Sequence, residues 1–146
     1  MQHLAPDALH ELKDFERKHR LKLLDSKGEL AGFAEMVYFG KPVPMYYLEY
    51  MQINESHRGK GYGGELIEQV NAFIKDKGKM GLLVNAIEED KASHDMYLAH
   101  GWRETYIPDL LILNPPNGLS DDDIADLEKR VMKWTDGVYE KSENAA

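Results

Sequence analysis

Met45-Tyr46-Tyr47-Leu48-Glu49-Tyr50-Met51-Gln52-Ile53, then Asn54-Glu55-Ser56-His57, then Arg58-Gly59-Lys60-Gly61-Tyr62-Gly63-Gly64, then a helix-patterned run to Lys77: the reading of this stretch decides the fold. The first segment is an apolar strand and the second a polar turn. Four glycines crowd the strand-to-helix junction. Glycine has no Cβ, so backbone N–H groups there can close on a bulky oxyanion. A helix N-terminus adds unpaired N–H donors and about half a positive charge. With Arg58 and Lys60 alongside, the stretch predicts a pyrophosphate cradle. A flexible glycine turn without a ligand is the competing reading.

A chain of 146 residues is long enough for a real core and predicts one domain over 1–146. Hydrophobic content of 42% and charged content of 30% are ordinary for a soluble globular protein. No apolar run reaches the ~18 residues that a membrane span needs. With no apolar signal core at its start and no cysteine, the chain is expected in the cytoplasm. A net charge of −8 argues against nonspecific nucleic-acid binding and mildly favours cationic substrates.

Going outward, Pro6 to about His19 reads as a first helix, with Ala8, Leu9, Leu12 and Phe15 at helical spacing. Leu21–Asp25, Leu30–Phe39 and Met45–Ile53 read as three strands. The turns between them are short, so the pairing is antiparallel. After the glycines, Leu66, Ile67, Val70, Phe73 and Ile74 form an apolar helix stripe, closed by Gly78. Gly81–Ile87 is the next strand, and the strand–helix–strand crossover makes it parallel to 45–53. Glu88–His100 reads as a second helix, with Ala92, Met96, Tyr97 and Ala99 inward. Trp102–Tyr106 and Leu110–Leu113 follow as strands. After a Pro-rich linker, Ser120 caps a helical extension over 119–138, with Asp121, Asp122 and Asp123 in its first turn. Its stripe of Ile124, Leu127, Val131 and Trp134 must bury itself on its own sheet or on a second copy in a homodimer.

This order, with Arg58, Gly61 and Gly63 as an Arg-x-x-Gly-x-Gly signature, resembles the GCN5-related N-acetyltransferase (GNAT) superfamily. Asp90, Ser93, Tyr97 and Gly101-Trp102 match a second region of that family, Asp90 standing for its usual Asn. The likeness covers roughly residues 20–113. It implies an α/β (α+β) fold, a mixed and mostly antiparallel sheet whose parallel pair splays apart. One departure is the start of the chain, where the family usually shows a strand and two helices. Gly59-x-Gly61-x-x-Gly64 also satisfies the dinucleotide fingerprint, with Glu88 or Glu89 as ribose ligand. But that fingerprint belongs after the first strand of a repeating parallel fold, and here hairpins precede it.

The resemblance implies acetyl-CoA as co-substrate and transfer of its acetyl group to a primary amine, on a small molecule or a protein, by direct attack in a ternary complex. The pyrophosphate would rest on the amides of Arg58, Gly59, Lys60, Gly61, Tyr62, Gly63 and Gly64. The pantetheine arm would pair along Met51, Gln52 and Ile53, where the strand parts from Leu83-Val84-Asn85. Asn85, Asp90, Ser93 and Tyr97 would complete the cofactor wall. An N–H near Met51 or Gln52 would polarise the thioester carbonyl.

An amine of pKa about 10.4 must lose a proton before it attacks. Glu49, a charge inside an apolar strand and nine residues before Arg58, is the candidate base; an outward, solvated glutamate is the alternative, and Glu35 is a second candidate. Tyr97 is the candidate general acid for the leaving thiolate, against a purely core aromatic. His57 reads as a turn residue and His94 as an exposed helix residue, and no spacing suggests a metal. Met36, Met45, Met51, Tyr46, Tyr47 and Tyr50 line an acceptor pocket or belong to the core. A non-catalytic CoA-binding regulatory or assembly module is the alternative to an enzyme.

Overall fold

The computed structural model describes residues 18–85 and 87–144. Among the described residues, six strands form one sheet in the order β1-β2-β3-β4-β6-β5. They are β1 (Lys18–Leu24), β2 (Leu30–Phe39), β3 (Met45–Ile53), β4 (Met80–Val84), β5 (Arg103–Glu104) and β6 (Leu110–Leu113). The helices are α1 (Tyr62–Asp76), α2 (Lys91–Ala99) and α3 (Asp121–Asn144), and a single 3-10 turn spans Glu55–His57. Every strand pair is antiparallel except β3–β4, as the crossover through α1 requires.

Two apolar layers sandwich the sheet. On one face Leu66, Ile67, Val70 and Ile74 of α1 and Tyr97 of α2 pack on Ala34, Met36, Tyr46, Leu48, Leu83 and Leu111. On the other, Ile124, Leu127, Val131 and Trp134 of α3 pack on Val37, Met45, Tyr47, Leu82 and Ile112. The stripe of α3 therefore buries itself on its own sheet. Ser120 caps this helix: its Oγ accepts from the Asp123 amide at 3.1 Å, and the Asp123 carboxylate accepts from the Ser120 amide at 3.2 Å.

Several boundaries differ from the sequence expectation. The predicted helix over 6–19 lies outside the described residues except for Lys18 and His19, and both are in β1. Exposed Lys18, Arg20 and Lys22 alternate there with inward His19, Leu21 and Leu23, a strand period. Asp25 is not strand: its carboxylate accepts from the amides of Lys27 and Glu29, both at 2.9 Å, and so builds the turn. Strand β4 stops at Val84 rather than Ile87. Helix α2 begins at Lys91 rather than Glu88, because Asp90 takes the cap and accepts from the Ser93 amide at 3.1 Å. In this helix Tyr97 is inward as expected, while His94 is buried too and Ala92 and Ala99 are exposed. The strand expected over 102–106 shrinks to Arg103–Glu104, and Trp102 is core.

Asn71 locks α1 to the end of α2. Its amide donates to the His100 carbonyl at 2.9 Å and its oxygen accepts from Trp102 Nε1 at 2.8 Å. A buried polar side chain in an apolar stripe is stable only when paired in this way.

Candidate active site

Strand β3 changes character along its length. Met45, Tyr46 and Tyr47 pair with Met80, Gly81 and Leu82 of β4, and there the pairing ends. From Leu48 to Ile53 the strand is held, among the described residues, by β2 alone. The edge facing β4 is thus open, a template for an added extended chain.

A bulge sits where the two strands part. Glu35 of β2 opposes Tyr50, and Met36 opposes Leu48, so Glu49 has no partner on β2. One extra residue bends a strand and resets which face each later side chain takes. Met45 and Tyr47 lie on the α3 face, and strict alternation would send Met51 there too; instead Met51 and Ile53 pack on the α1 face. The sequence cannot place this bulge.

Glu49 is the bulged residue, with its side chain only 22% exposed. Lys18 Nζ stands 3.8 Å from Oε1, while the buried Oε2 has no hydrogen-bond partner among the described residues. Burial raises the Glu49 carboxyl above the ordinary value of 4.5; the nearby Glu35 charge adds to this and Lys18 opposes it. Glu35 is engaged by Arg20, which donates to its Oε1 through Nε at 3.0 Å and also through Nη2.

The glycine junction follows. Gly59 and Gly61 have φ of 75° and 85°, and a Cβ on either would meet nothing within 4 Å. These left-handed turns favour glycine and face open space. Gly61 is the N-cap of α1. Among the described residues, the amides from Gly59 to Gly64 donate to no carbonyl or side chain, whereas Glu65 N–H returns to the Gly61 carbonyl at 3.4 Å. A run of amides without a protein acceptor at a helix N-terminus is the kind of backbone that can form an anion nest. Arg58 folds back, Nε donating to the Ile53 carbonyl at 3.2 Å. The residues present therefore fit a pyrophosphate.

His57, taken as a plain turn residue, is buried and structural. Its Nε2 pairs with Asp25 Oδ2 at 2.8 Å, and Ser56 Oγ lies 2.8 Å from its Nδ1. The pair pins the start of the nest to the β1–β2 turn, 32 residues away, and no local pattern announces it. His94 is also a correction: it is 3% exposed, with Nε2 2.9 Å from Glu104 Oε1.

Helix α2 reaches the nest by packing on α1, since a Cβ on Gly63 would lie 3.4 Å from Met96 Sδ. Tyr97 is 9% exposed, edge-on to Trp102 at 6.2 Å. Burial pushes its phenol up to about 12, helped by the Asp90 charge, so it is protonated at neutral pH. Its hydroxyl has no hydrogen-bond partner among the described residues. Asp90 and Ser93 serve first as the α2 cap. Asn85 ties the end of β4 down: its amide donates to the Asp109 carbonyl at 2.8 Å and its side chain to the Asp90 carbonyl at 3.3 Å. Met36, Met45, Tyr46 and Tyr47 are core, whereas Tyr50 is exposed and donates to Gln52 Oε1 at 2.7 Å.

The sequence reading does not bring Lys18, Arg20 and Trp134 to this site. Lys18 Nζ sits 5.3 Å from the Trp134 ring centre and the Arg20 guanidinium 4.9 Å from that of Phe33. The alternation of cationic and partly buried residues at 18–21 is the signal that would have placed them on one sheet face.

A mixed six-stranded sheet that opens beyond its one short parallel pairing, followed by a glycine-rich helix start with unpaired amides, defines the fold. The family model for the acetyltransferase (GNAT) family matches residues 2–102, and the chain belongs to that family. Its enzyme class is acetyl-CoA-dependent N-acetyltransferase. No curated protein matches by sequence. Among solved structures, it is similar to mutant forms of the spermidine/spermine N-acetyltransferase SpeG from Vibrio cholerae, at 21% identity and TM-score 0.55, covering 73% of this chain and 75% of that one. A putative acyl-CoA N-acyltransferase from Klebsiella pneumoniae matches at 20% identity and TM-score 0.55, covering 73% and 82%. The Vibrio cholerae spermidine N-acetyltransferase in complex with CoA and spermine matches at 21% identity and TM-score 0.53, covering 75% and 73%. These likenesses show the fold.

Proposed function

We propose that the chain, acting as one domain, acetylates a primary amine by direct attack, using Glu49 as the base and Tyr97 as the acid. The single observation that supports this best is the coincidence of three features at one end of β3. They are the open edge from Leu48 to Ile53, the bulge at Glu49, and the free amides from Gly59 to Gly64. Acetyl-CoA supplies an acetyl group activated as a thioester.

The chain's own residues do the rest. The nest and Lys60 hold the diphosphate through charge-assisted hydrogen bonds. The backbone of Met51, Gln52 and Ile53 pairs with the amide-bearing arm, and an N–H of Met51 or Gln52 stabilises the carbonyl oxygen as it gains charge. Glu49 takes a proton from the acceptor ammonium; its raised pKa brings it nearer to working pH than a solvated carboxylate. Tyr97 carries a proton at neutral pH and gives it to the leaving sulfur as the C–S bond breaks, and the second proton that the nitrogen sheds on becoming an amide returns to the phenolate. The acceptor is a small or protein-borne amine that enters beside Glu49. Two of the similar structures are of enzymes named for spermidine, a small polyamine, which makes such amines the first panel to try.

A thiol-release assay with acetyl-CoA over polyamines, amino acids, aminoglycosides and peptide N-termini tests the reading. Tyr97→Phe and Glu49→Gln should each lower turnover about a hundredfold with CoA affinity nearly intact. Unchanged turnover in either variant removes that residue from the chemistry.

A further inference from the structure

Cations of β1 meet carboxylates on the α3 face of the sheet in two places, and the two meetings differ. Arg20 clamps Glu35 through two nitrogens, with its guanidinium over Phe33. Both nitrogens converge on the one oxygen Oε1, a closed charge-assisted pair. Lys18 merely stands near Glu49, at 3.8 Å, beyond hydrogen-bond length, with its side chain 45% exposed. Its Nζ lies over the face of Trp134, which is only 7% exposed and held edge-on to Tyr47 at 6.4 Å. On the other side of the same carboxylate, Oε2 is buried and accepts from no donor among the described residues. A buried carboxylate oxygen left without a donor is unfavourable, and one more N–H would relieve it.

A carboxylate with spare accepting capacity beside an aromatic face is the chemistry that recognises an ammonium. A lysine side chain is itself a primary ammonium on an unbranched alkyl stem. We propose that Glu49 and the face of Trp134 form a subsite for a primary alkylammonium, and that Lys18 fills it as an internal surrogate until the acceptor displaces it. This deepens the reading of Glu49 as base and rests on it. The subsite selects an amine on a slim alkyl chain, because such a group can replace Lys18 like for like. Lys18 is then a specificity-determining residue. A loose surface pair and a single cation–aromatic contact are together worth only about 1 kcal/mol, so Lys18 lowers the apparent affinity for the acceptor by about fivefold without closing the site.

Calorimetric titration of the full chain with n-pentylamine at neutral pH, with no acetyl donor present, tests this. Lys18→Ala should bind the amine about fivefold tighter than the unsubstituted chain, because no internal ammonium competes. Lys18→Met, which keeps a stem over Trp134 but no charge, should shift in the same direction. Lys18→Arg should bind no tighter than the unsubstituted chain. Glu49→Gln should bind about tenfold weaker, having lost the charge-assisted bond. n-Pentanol, with the same chain and no charge, should show none of this order. Equal or weaker binding by Lys18→Ala and Lys18→Met, or no amine binding by any variant, overturns the proposal. The titration involves no turnover, so the two readings fail separately. An intact affinity order with no acetylation of any amine sinks only the catalytic reading. Acetylation with the order lost sinks only the subsite.

Discussion

The two halves of β3 are made of similar residues and do opposite work. Met45, Tyr46 and Tyr47 are paired on both edges and buried on both faces. Tyr50, Met51 and Gln52 are paired on one edge and at least partly exposed. The first half spends its backbone on the sheet, and nothing is left to bind. Among the described residues, the second half pairs with no strand on the β4 side. What separates them is one extra residue, Glu49, and the early stop of β4 at Val84. Binding capacity in this fold is therefore backbone that the sheet declines to use.

If that contrast is right, small changes in the closed half should damage stability and spare binding, and the open half should do the reverse. The largest effect in stability is expected at Gly81, which opposes Tyr46. A Cβ there would lie 2.8 Å from Trp102 Cη2 and 3.0 Å from Ile74 Cδ1, both fully buried. Gly81→Ala should lower unfolding free energy by about 2 kcal/mol, read by denaturant melts, with CoA affinity unchanged in the folded fraction. A stable Gly81→Ala protein would mean that the closed half is looser than its packing. On the open side the matching change is Gly61→Asn. Asparagine tolerates the left-handed conformation, so stability should fall by about 1 kcal/mol or less. Its side chain would fill the space facing the nest and weaken CoA binding about tenfold, measured by calorimetry. Equal CoA affinity would move the phosphates away from Gly61.

How much of this was legible follows the same division. Strands β2, β3 and β6 are bounded as the sequence predicts, because pattern and turn residues agree there. The unpaired amides were legible because glycines repeat at a strand-to-helix junction, where the chain turns left-handed at Gly59 and Gly61. The bulge was not, since it is a mismatch between two strands and neither one carries it alone. His57 with Asp25 and Lys18 with Glu49 are likewise products of register. His94 was misread through a helix start placed three residues early. Tyr97 is inward as expected, but His94 shares the buried face and Ala92 and Ala99 do not.

The smallest predicted effect is a pH dependence, and it bears on Glu49 directly. Burial, reinforced by the Glu35 charge and opposed by Lys18, holds its folded pKa above the unfolded value of 4.5. Between those two values the folded chain keeps a proton that the unfolded chain has already lost. Stability contributed by this group is thus full below pH 4.5 and falls as pH rises through the folded value, the reverse of a salt-bridged carboxylate. Glu49→Gln removes the ionisation, so its melting temperature relative to the unsubstituted chain should be more favourable at pH 7 than at pH 4. The two charges facing the group sharpen the test. Removing Lys18 takes away the opposing charge and should move the acid limb of kcat/KM to higher pH. Glu35→Gln should move it lower. An acid limb that ignores both substitutions would assign the titration to another group, and Glu49 would lose its place as the base.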